Sequence, residues 1–511
     1  MASFIANGFE WSETRPGRWE RDVDEAEQFY TSLAKAYEGT GRTFFAMTGF
    51  ISVFVPAESR SSDHQTENRA EDALRKAWLR LRYDHPTIAS RVEYDVHGKQ
   101  CKKIYETFTE SSPQEDWLKT TFQIVSTSVS GLEWCNSDPP VPALPTLFLI
   151  KKPSSADGAF RADVVLRAHH DIIDGMGTLM LFNNLFAHAA EIYKWGASYT
   201  APCFGDEWSN LSPPLRVAAG IPKDLQPAQQ NRLQDIIHSN KSLKEGIEIA
   251  SIPFHRDRTQ PGKHQRVAIT LSIEQTRQLL DKSRETGLSI THVYHTAIAV
   301  TVRDTQERRV NERKVRYINY SLINERGHCR NPYSTWAHPA TVYHSVSGQS
   351  LAIDLNVASS SGTTDMASTA AKDKAEFMDI AETVRNFYLG IRSDKGHIFL
   401  VPSYWKMSTI PYPADGGTPP VPSRNDNPSV SISSMGVLDK VIRPTHGPFQ
   451  LDNPWVTGEE LGTGFGVFLG TWKGRLTLST AYNDAWHDKE EAMTFLDRCN
   501  QTVFRALGIE W

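Results

Sequence analysis

Residues 166–182 read LRAHHDIIDGMGTLMLF. Two adjacent histidines, His169 and His170, are followed by Asp171, Asp174 and Gly175 and then by an apolar run. Three chemistries fit such a string. The first is metal ligation. On an extended segment neighbouring side chains point to opposite sides, and zinc ligands on a helix favour an i, i+4 spacing, so the adjacent histidines are poorly placed to hold one ion and no metal is expected. The second is a helix start, with Asp174 as N-cap. That explains Asp174 and leaves two histidines at the end of an apolar strand, where an unpaired imidazole is unfavourable. The third is general-base catalysis. An imidazole with an unperturbed pKa near ~6.5 can take a proton from a hydroxyl and hand it to a leaving group. The chain has no GxSxG segment, so a serine-hydrolase elbow is absent. Asp174, if buried, then needs a cation from a distant part of the chain.

The elements that would position these groups alternate in type. The pattern predicts helices over 22–37 and 68–86, the second with Leu74, Trp78 and Leu81 on one face, and a strand over 43–56. A strand over 162–170 carries the histidines, and a long apolar helix follows over 177–195. Residues 196–265 are richer in proline and polar residues and read as a crossover. Regular patterning resumes with strands over 266–272, 315–324, 429–436, 465–470 and 475–483 and helices over 273–287, 288–304, 364–389 and 489–507. Two mixed α/β halves fit this order, residues 1–200 and 266–511, joined by a crossover over 201–265. In the strand SVSISSMG, Ser429, Ser431 and Ser433 alternate with Val430 and Ile432 and so share one face. That face borders either solvent or a polar ligand. Residues 413–428 read as a loop.

The bulk numbers exclude several classes. With 55 basic and 60 acidic residues among 511, the net charge of −5 gives no reason to expect nucleic acid or an anionic membrane. No apolar window is long enough to span a bilayer, and the first 20 residues lack a secretory core. Cys101, Cys135, Cys203, Cys329 and Cys499 are odd in number and far apart, which points away from a disulfide framework and towards a reducing cytoplasm.

HHDIIDG matches HHxxxDG, and through it the chain resembles the CoA-dependent acyltransferase superfamily of chloramphenicol acetyltransferase, the BAHD enzymes and condensation domains. The order of the other segments agrees: LSITHVYHTAIAVTV over 288–302, INYSLINERG over 318–327, SVSISSMG over 429–436 and GRLTLSTAYND from 474. The Asp-Phe-Gly-Trp-Gly element of plant members is missing; GTGFGVFLG is the nearest stretch, and no carrier or adenylation module adjoins. The length and the N-terminal GFEWSETRPGRWERDVDEAE look closest to the fungal trichothecene 15-O-acetyltransferase type. The resemblance implies an α/β fold of two chloramphenicol-acetyltransferase-like halves with a tunnel between them. It implies His170 as general base, Asp174 as an architectural residue paired with Arg326, His169 as support, and Gly175 as a place where a pantetheine arm passes the backbone. Ser433 and Ser431 would line the donor path. Acetyl-CoA would be a co-substrate, no cofactor would stay bound, and the acceptor would be a small alcohol such as a trichothecene-like terpenoid, acted on by a cytoplasmic monomer. Arg256, Arg258, Lys263 and Arg266 form a basic cluster that either meets CoA phosphates or faces water. A carrier-dependent condensation enzyme and an inactive binding protein on the same fold are the alternatives.

Overall fold

A computed structural model describes residues 8–57, 65–95, 100–108, 112–151, 157–255, 257–360, 366–410, 420–423 and 425–510. Half of the 413–428 loop, positions 413–419 and 424, and Arg256 lie outside the described residues.

A six-stranded sheet carries the histidine motif. Its order is Thr445–His446, Phe449–Gly458, Met47–Val55, Phe160–Ala168, Thr146–Lys151 and Phe122–Ser126, antiparallel except for the last pair. Phe160–Ala168 is central, and Val164, Val165 and Leu166 are fully buried. Apolar side chains on consecutive positions are what a strand covered on both faces requires. Two helices, Gln65–Asp84 and Gly175–Trp195, pack against each other on one face. Leu74, Trp78 and Leu81 sit in their shared core with Phe182 and Phe186, as the 3.6-residue period predicts.

Two of the six strands come from sequence positions beyond 440. The segment Phe449–Gly458 leaves the C-terminal part of the chain and pairs with Met47–Val55 through seven registered residues. The C-terminal part has its own four-stranded sheet, ordered His264–Thr270, Arg475–Asn483, Phe465–Trp472 and Val430–Val437. A second core lies on it, where the helices Ile290–Asp304, Met366–Ser393 and Lys489–Leu507 bury Tyr294, Phe377, Phe495 and Phe504. Two mixed layers with separate cores make this an α/β protein of two halves.

The structure differs from the sequence reading in detail. The motif strand ends at Ala168 and the helix begins at Gly175, so His169 and His170 stand in the connecting turn. The 201–265 region holds a 16-residue helix, Pro227–Ser242, begun by Pro227 at its first position. The strand expected over 315–324 is broken into Arg313–Asn319 and Leu322–Asn324. The helix His397–Ser408 was not anticipated, because Pro402 inside it reads as a breaker.

The motif helix sits unusually close to the sheet at Gly49. A Cβ there would overlap Thr178 Cγ2 and stand 3.0 Å from Phe182 Cε2. Gly49→Ala should therefore force the helix outward and destabilise the protein by about 1–3 kcal/mol, as overpacking does. Denaturant unfolding checks this; a midpoint equal to that of the parent would show that the contact gives way freely.

Candidate active site

Asp174 is the N-cap of the helix Gly175–Trp195, with extended backbone, and its Oδ1 accepts the Gly177 N–H at 2.7 Å. That is the local role an aspartate before a helix should have. Its other oxygen has a long-range role. Oδ2 accepts Arg326 Nη1 at 2.9 Å and the Tyr343 backbone N–H at 2.9 Å. The Asp174 N–H in turn donates to the Thr341 carbonyl at 2.9 Å. Burial works to raise the Asp174 pKa, but Arg326 and then His344 override it and hold the carboxyl well below the usual range. Arg326 lies in a short 3-10 turn, Glu325–His328, capped by Asn324, and its Nη2 donates to Thr341 Oγ1 at 3.0 Å. The structure thus brings Asp174 and Arg326, 152 residues apart, into a buried pair.

The neighbouring glycines meet different surroundings. A Cβ on Gly177 would overlap the Pro339 carbonyl oxygen and approach Arg326 Nη2 to 3.0 Å. Gly177 therefore lets the helix start meet the arginine segment. A Cβ on Gly175 would face only side chains, Val456 Cγ2 at 3.3 Å and Met435 Cε at 3.5 Å.

His170 is half-buried at the start of the turn. Its ring lies flat on Tyr30, with centroids 3.9 Å apart and planes 7° from parallel. Its Nδ1 is buried and has no hydrogen-bond partner. Tyr30 Oη shares a 2.8 Å hydrogen bond with His344 Nε2, and His344 Nδ1 stands 3.9 Å from Asp174 Oδ2. The stack is thereby tied to the same carboxylate that caps the helix. Burial, and after it the nearby His344, push the His170 pKa down to about 3, against a smaller upward pull from its own carbonyl and from Asp174. The imidazole is neutral at pH 7 and is in the form that accepts a proton.

His169 faces elsewhere. With Asp171 and Ile172 it lines a separate cavity of about 830 Å³, together with Arg82 and Trp117. Beneath the turn, Lys103 donates to the Asp171 carbonyl and pairs with Glu27 at 2.6 Å, which also pairs with Arg21. Ser431 and Ser433 are half-buried on the sheet-edge strand Val430–Val437. Ser433 Oγ donates to Met435 Sδ at 3.3 Å, and Met435 is the residue against Gly175. The basic cluster is split: Arg258 and Lys263 are exposed, whereas Arg266 is buried on the strand His264–Thr270. Among the described residues, a grouping with metal-ligand spacing occurs at His255, Asp488 and Glu491; it is exposed, and its two carboxylates cap the closing helix.

Tyr30, Thr341, Tyr343, His344 and Gly177 were not found by sequence reasoning. Tyr30 falls on the apolar stripe of the helix Glu25–Ala36 with Ala26 and Leu33, where an aromatic reads as core. His344 follows a short apolar segment with no spacing signal.

No family model matches the chain. Two acetyltransferases of Monascus ruber are similar to it over its whole length. PigO is 22% identical over 509 residues, covering 98% of each chain. The O-acetyltransferase pigM is 24% identical over 511 residues, covering 98% of this chain and 88% of its own. An azaphilone biosynthesis cluster protein of Aspergillus terreus is 25% identical over 354 residues, 68% of this chain and 77% of its own. Among solved structures, TRI3 trichothecene 15-O-acetyltransferase from Fusarium sporotrichioides superposes with a TM-score of 0.78 at 15% identity, over 98% of both chains. The condensation domain of the polyketide synthase MokA gives 0.58 at 12% identity, over 95% and 97%. The chain has the two-half fold that these acyltransferases and condensation domains share, and the likeness in fold extends over nearly all of it.

Two expected outcomes follow from this geometry. Asp174→Asn strips the buried Arg326 of its counterion and should cost about 3–5 kcal/mol of stability; a thermal melt within error of the parent would remove the ion pair from its structural role. Tyr30→Leu removes the plate under His170, and kcat should fall by about 10- to 100-fold with KM little changed. Tyr30→Phe keeps the stacked ring and should retain most of the activity. Equal loss in both variants would show that the hydroxyl, rather than the stack, is what matters.

Proposed function

We propose that this acyltransferase is an O-acetyltransferase, carrying acetyl from acetyl-CoA to a hydroxyl of a small secondary metabolite. The observation that carries the reading is a neutral His170, held by stacking on Tyr30 beside the buried Asp174–Arg326 pair. The full-length likeness to proteins named acetyltransferases supports the reading further. A likeness to an azaphilone cluster protein favours a hydroxylated polyketide as acceptor alongside the terpenoid class read from sequence.

In this mechanism the ring of His170 takes the proton from the acceptor hydroxyl. The oxygen attacks the thioester carbonyl and a tetrahedral oxyanion forms. As it collapses the C–S bond breaks, and the imidazolium returns its proton to the departing thiolate. One residue serves as base and then as acid, so no acyl-enzyme is required. A general base of this kind contributes roughly 10²–10⁴-fold. Positioning supplies more, and the Ser433 hydroxyl, with Ser431 on the same strand face, is assigned to the donor path and the oxyanion. Asp174 and Arg326 act on the reaction by holding the turn rather than by touching substrate.

Purified protein incubated with acetyl-CoA and a panel of hydroxylated polyketides and terpenoids should yield an acetylated product by mass spectrometry. His170→Ala should abolish it with an unchanged melting curve. Because the imidazole titrates far below neutrality, kcat/KM should stay flat as pH falls from 8 to about 5, with the acid limb lying lower. Transfer from a carrier-bound acetyl group alone would favour the condensation alternative, and His170→Ala turnover within tenfold of the parent would remove His170 as base.

A further inference from the structure

Arg266 is a buried cation without an anion. It is 4% exposed on the strand His264–Thr270, its Nε has no hydrogen-bond partner, and among the described residues no carboxylate pairs with it. The Trp455 ring covers it, with its centroid 4.3 Å from the guanidinium carbon. Burial alone pushes its pKa down to about 9, with Cys135 the only opposing influence. The contrast with Arg167 is informative. That arginine is 1% exposed and has Glu459 at 3.0 Å. The fold supplies a counterion to one buried arginine and leaves the other open.

What Arg266 faces is a cavity of about 480 Å³, a size suited to a small-molecule ligand. Lys473 and Arg475 line it as well, against the single carboxylate of Asp452. Arg475 Nε donates to the Leu271 carbonyl at 3.3 Å, and Lys473 Nζ stands 3.5 Å from Asp452 Oδ1. The wall therefore carries more positive than negative charge. Trp455 and Trp472 give it aromatic surface. Leu179, Met435 and Val456 line it too. The last two are the side chains that stand against Gly175 of the histidine motif, and Leu179 lies one turn further along the same helix. The cavity thus abuts the catalytic turn.

We propose that this cavity is an anion site for the phosphate-bearing part of the donor, with Arg266 gripping a phosphate through its fork while Trp455 backs its face. The proposal rests on the acyl-CoA reading for the identity of the ligand. The reasoning is that a desolvated guanidinium gains most from a doubly hydrogen-bonded anion, that several cations around one cavity suit a diphosphate better than a single carboxylate, and that the aromatic surface suits an attached nucleotide. The shared chemistry is a phosphorylated pantetheine. It can come from free CoA or from a carrier protein's prosthetic arm, which has one phosphate and no nucleotide.

The test is calorimetric titration of the full chain with CoA, 4′-phosphopantetheine and inorganic pyrophosphate, for the parent, Arg266→Gln and Arg266→Lys. CoA should bind the parent, and Arg266→Gln should raise its Kd at least about tenfold; Arg266→Lys, with charge but no fork, should fall between. The KM for acetyl-CoA should rise in parallel. Arg266→Gln should melt no lower than the parent without ligand, since it removes an uncompensated buried charge; Arg266→Met repeats the test if the amide folds poorly. An unchanged CoA Kd in Arg266→Gln overturns the site even if acetyl transfer is seen, which leaves the acyl-CoA reading standing. Pyrophosphate binding that depends on Arg266, in a parent that transfers no acetyl from CoA, keeps the site and overturns that reading. Tighter binding of 4′-phosphopantetheine than of CoA assigns the site to a carrier's arm and overturns the nucleotide part.

Discussion

The carboxylate of Asp174 is the point on which the site depends. It is buried, it is ionised, and each oxygen is committed: one to the first turn of its own helix, the other to Arg326 and the Tyr343 N–H. A buried charge is costly unless it is paired and hydrogen-bonded. Here the groups that satisfy it come from a segment about 150 residues away in sequence. The same bonds that neutralise the carboxylate therefore fasten the motif turn to residues 324–343, and Gly177 is what allows the two backbones to come so close.

His170 benefits at one remove. Its Nδ1 has no hydrogen-bond partner, so no bond at that atom fixes the ring. Contact with Tyr30 does, and Tyr30 is tethered to His344, which stands beside Asp174. Helix Glu25–Ala36, the motif turn and the strand His344–Val346 thus converge on one imidazole. Burial, and after it the nearby His344, keep the ring neutral. In the mechanism proposed above, an imidazole uncharged at rest would become charged only while it holds the substrate's proton.

The crossing strand Phe449–Gly458 is the second structural constraint. It completes the N-terminal sheet from the C-terminal part of the chain, so the two layers cannot separate without breaking a seven-residue ladder. It also carries Trp455 and Val456. One covers Arg266 and the other lies against Gly175, so the same strand shapes both the motif and the adjoining cavity.

Much of this was legible in the sequence because it is written locally. Periodicity identified the helix with Leu74, Trp78 and Leu81, since burial of one face repeats along it, and a run of consecutive apolar residues marked the strand before the histidines. The string HHDIIDG marked the turn, and an aspartate before a helix announced a cap that would need a cation if buried. Other features depend on where distant segments come to rest. Nothing in the sequence marks Tyr30 as different from the core residues around it, or His344 as different from any other histidine. Four basic residues near position 260 look alike in one dimension; Arg258 and Lys263 lie before the strand and stay in water, whereas strand alternation and packing turned Arg266 inward. The sequence by itself determined the chemistry available at the turn. Only the tertiary structure decided which aromatic ring holds the imidazole, which arginine meets Asp174 and which is left facing a cavity, because burial and partner distance are properties of the packed molecule.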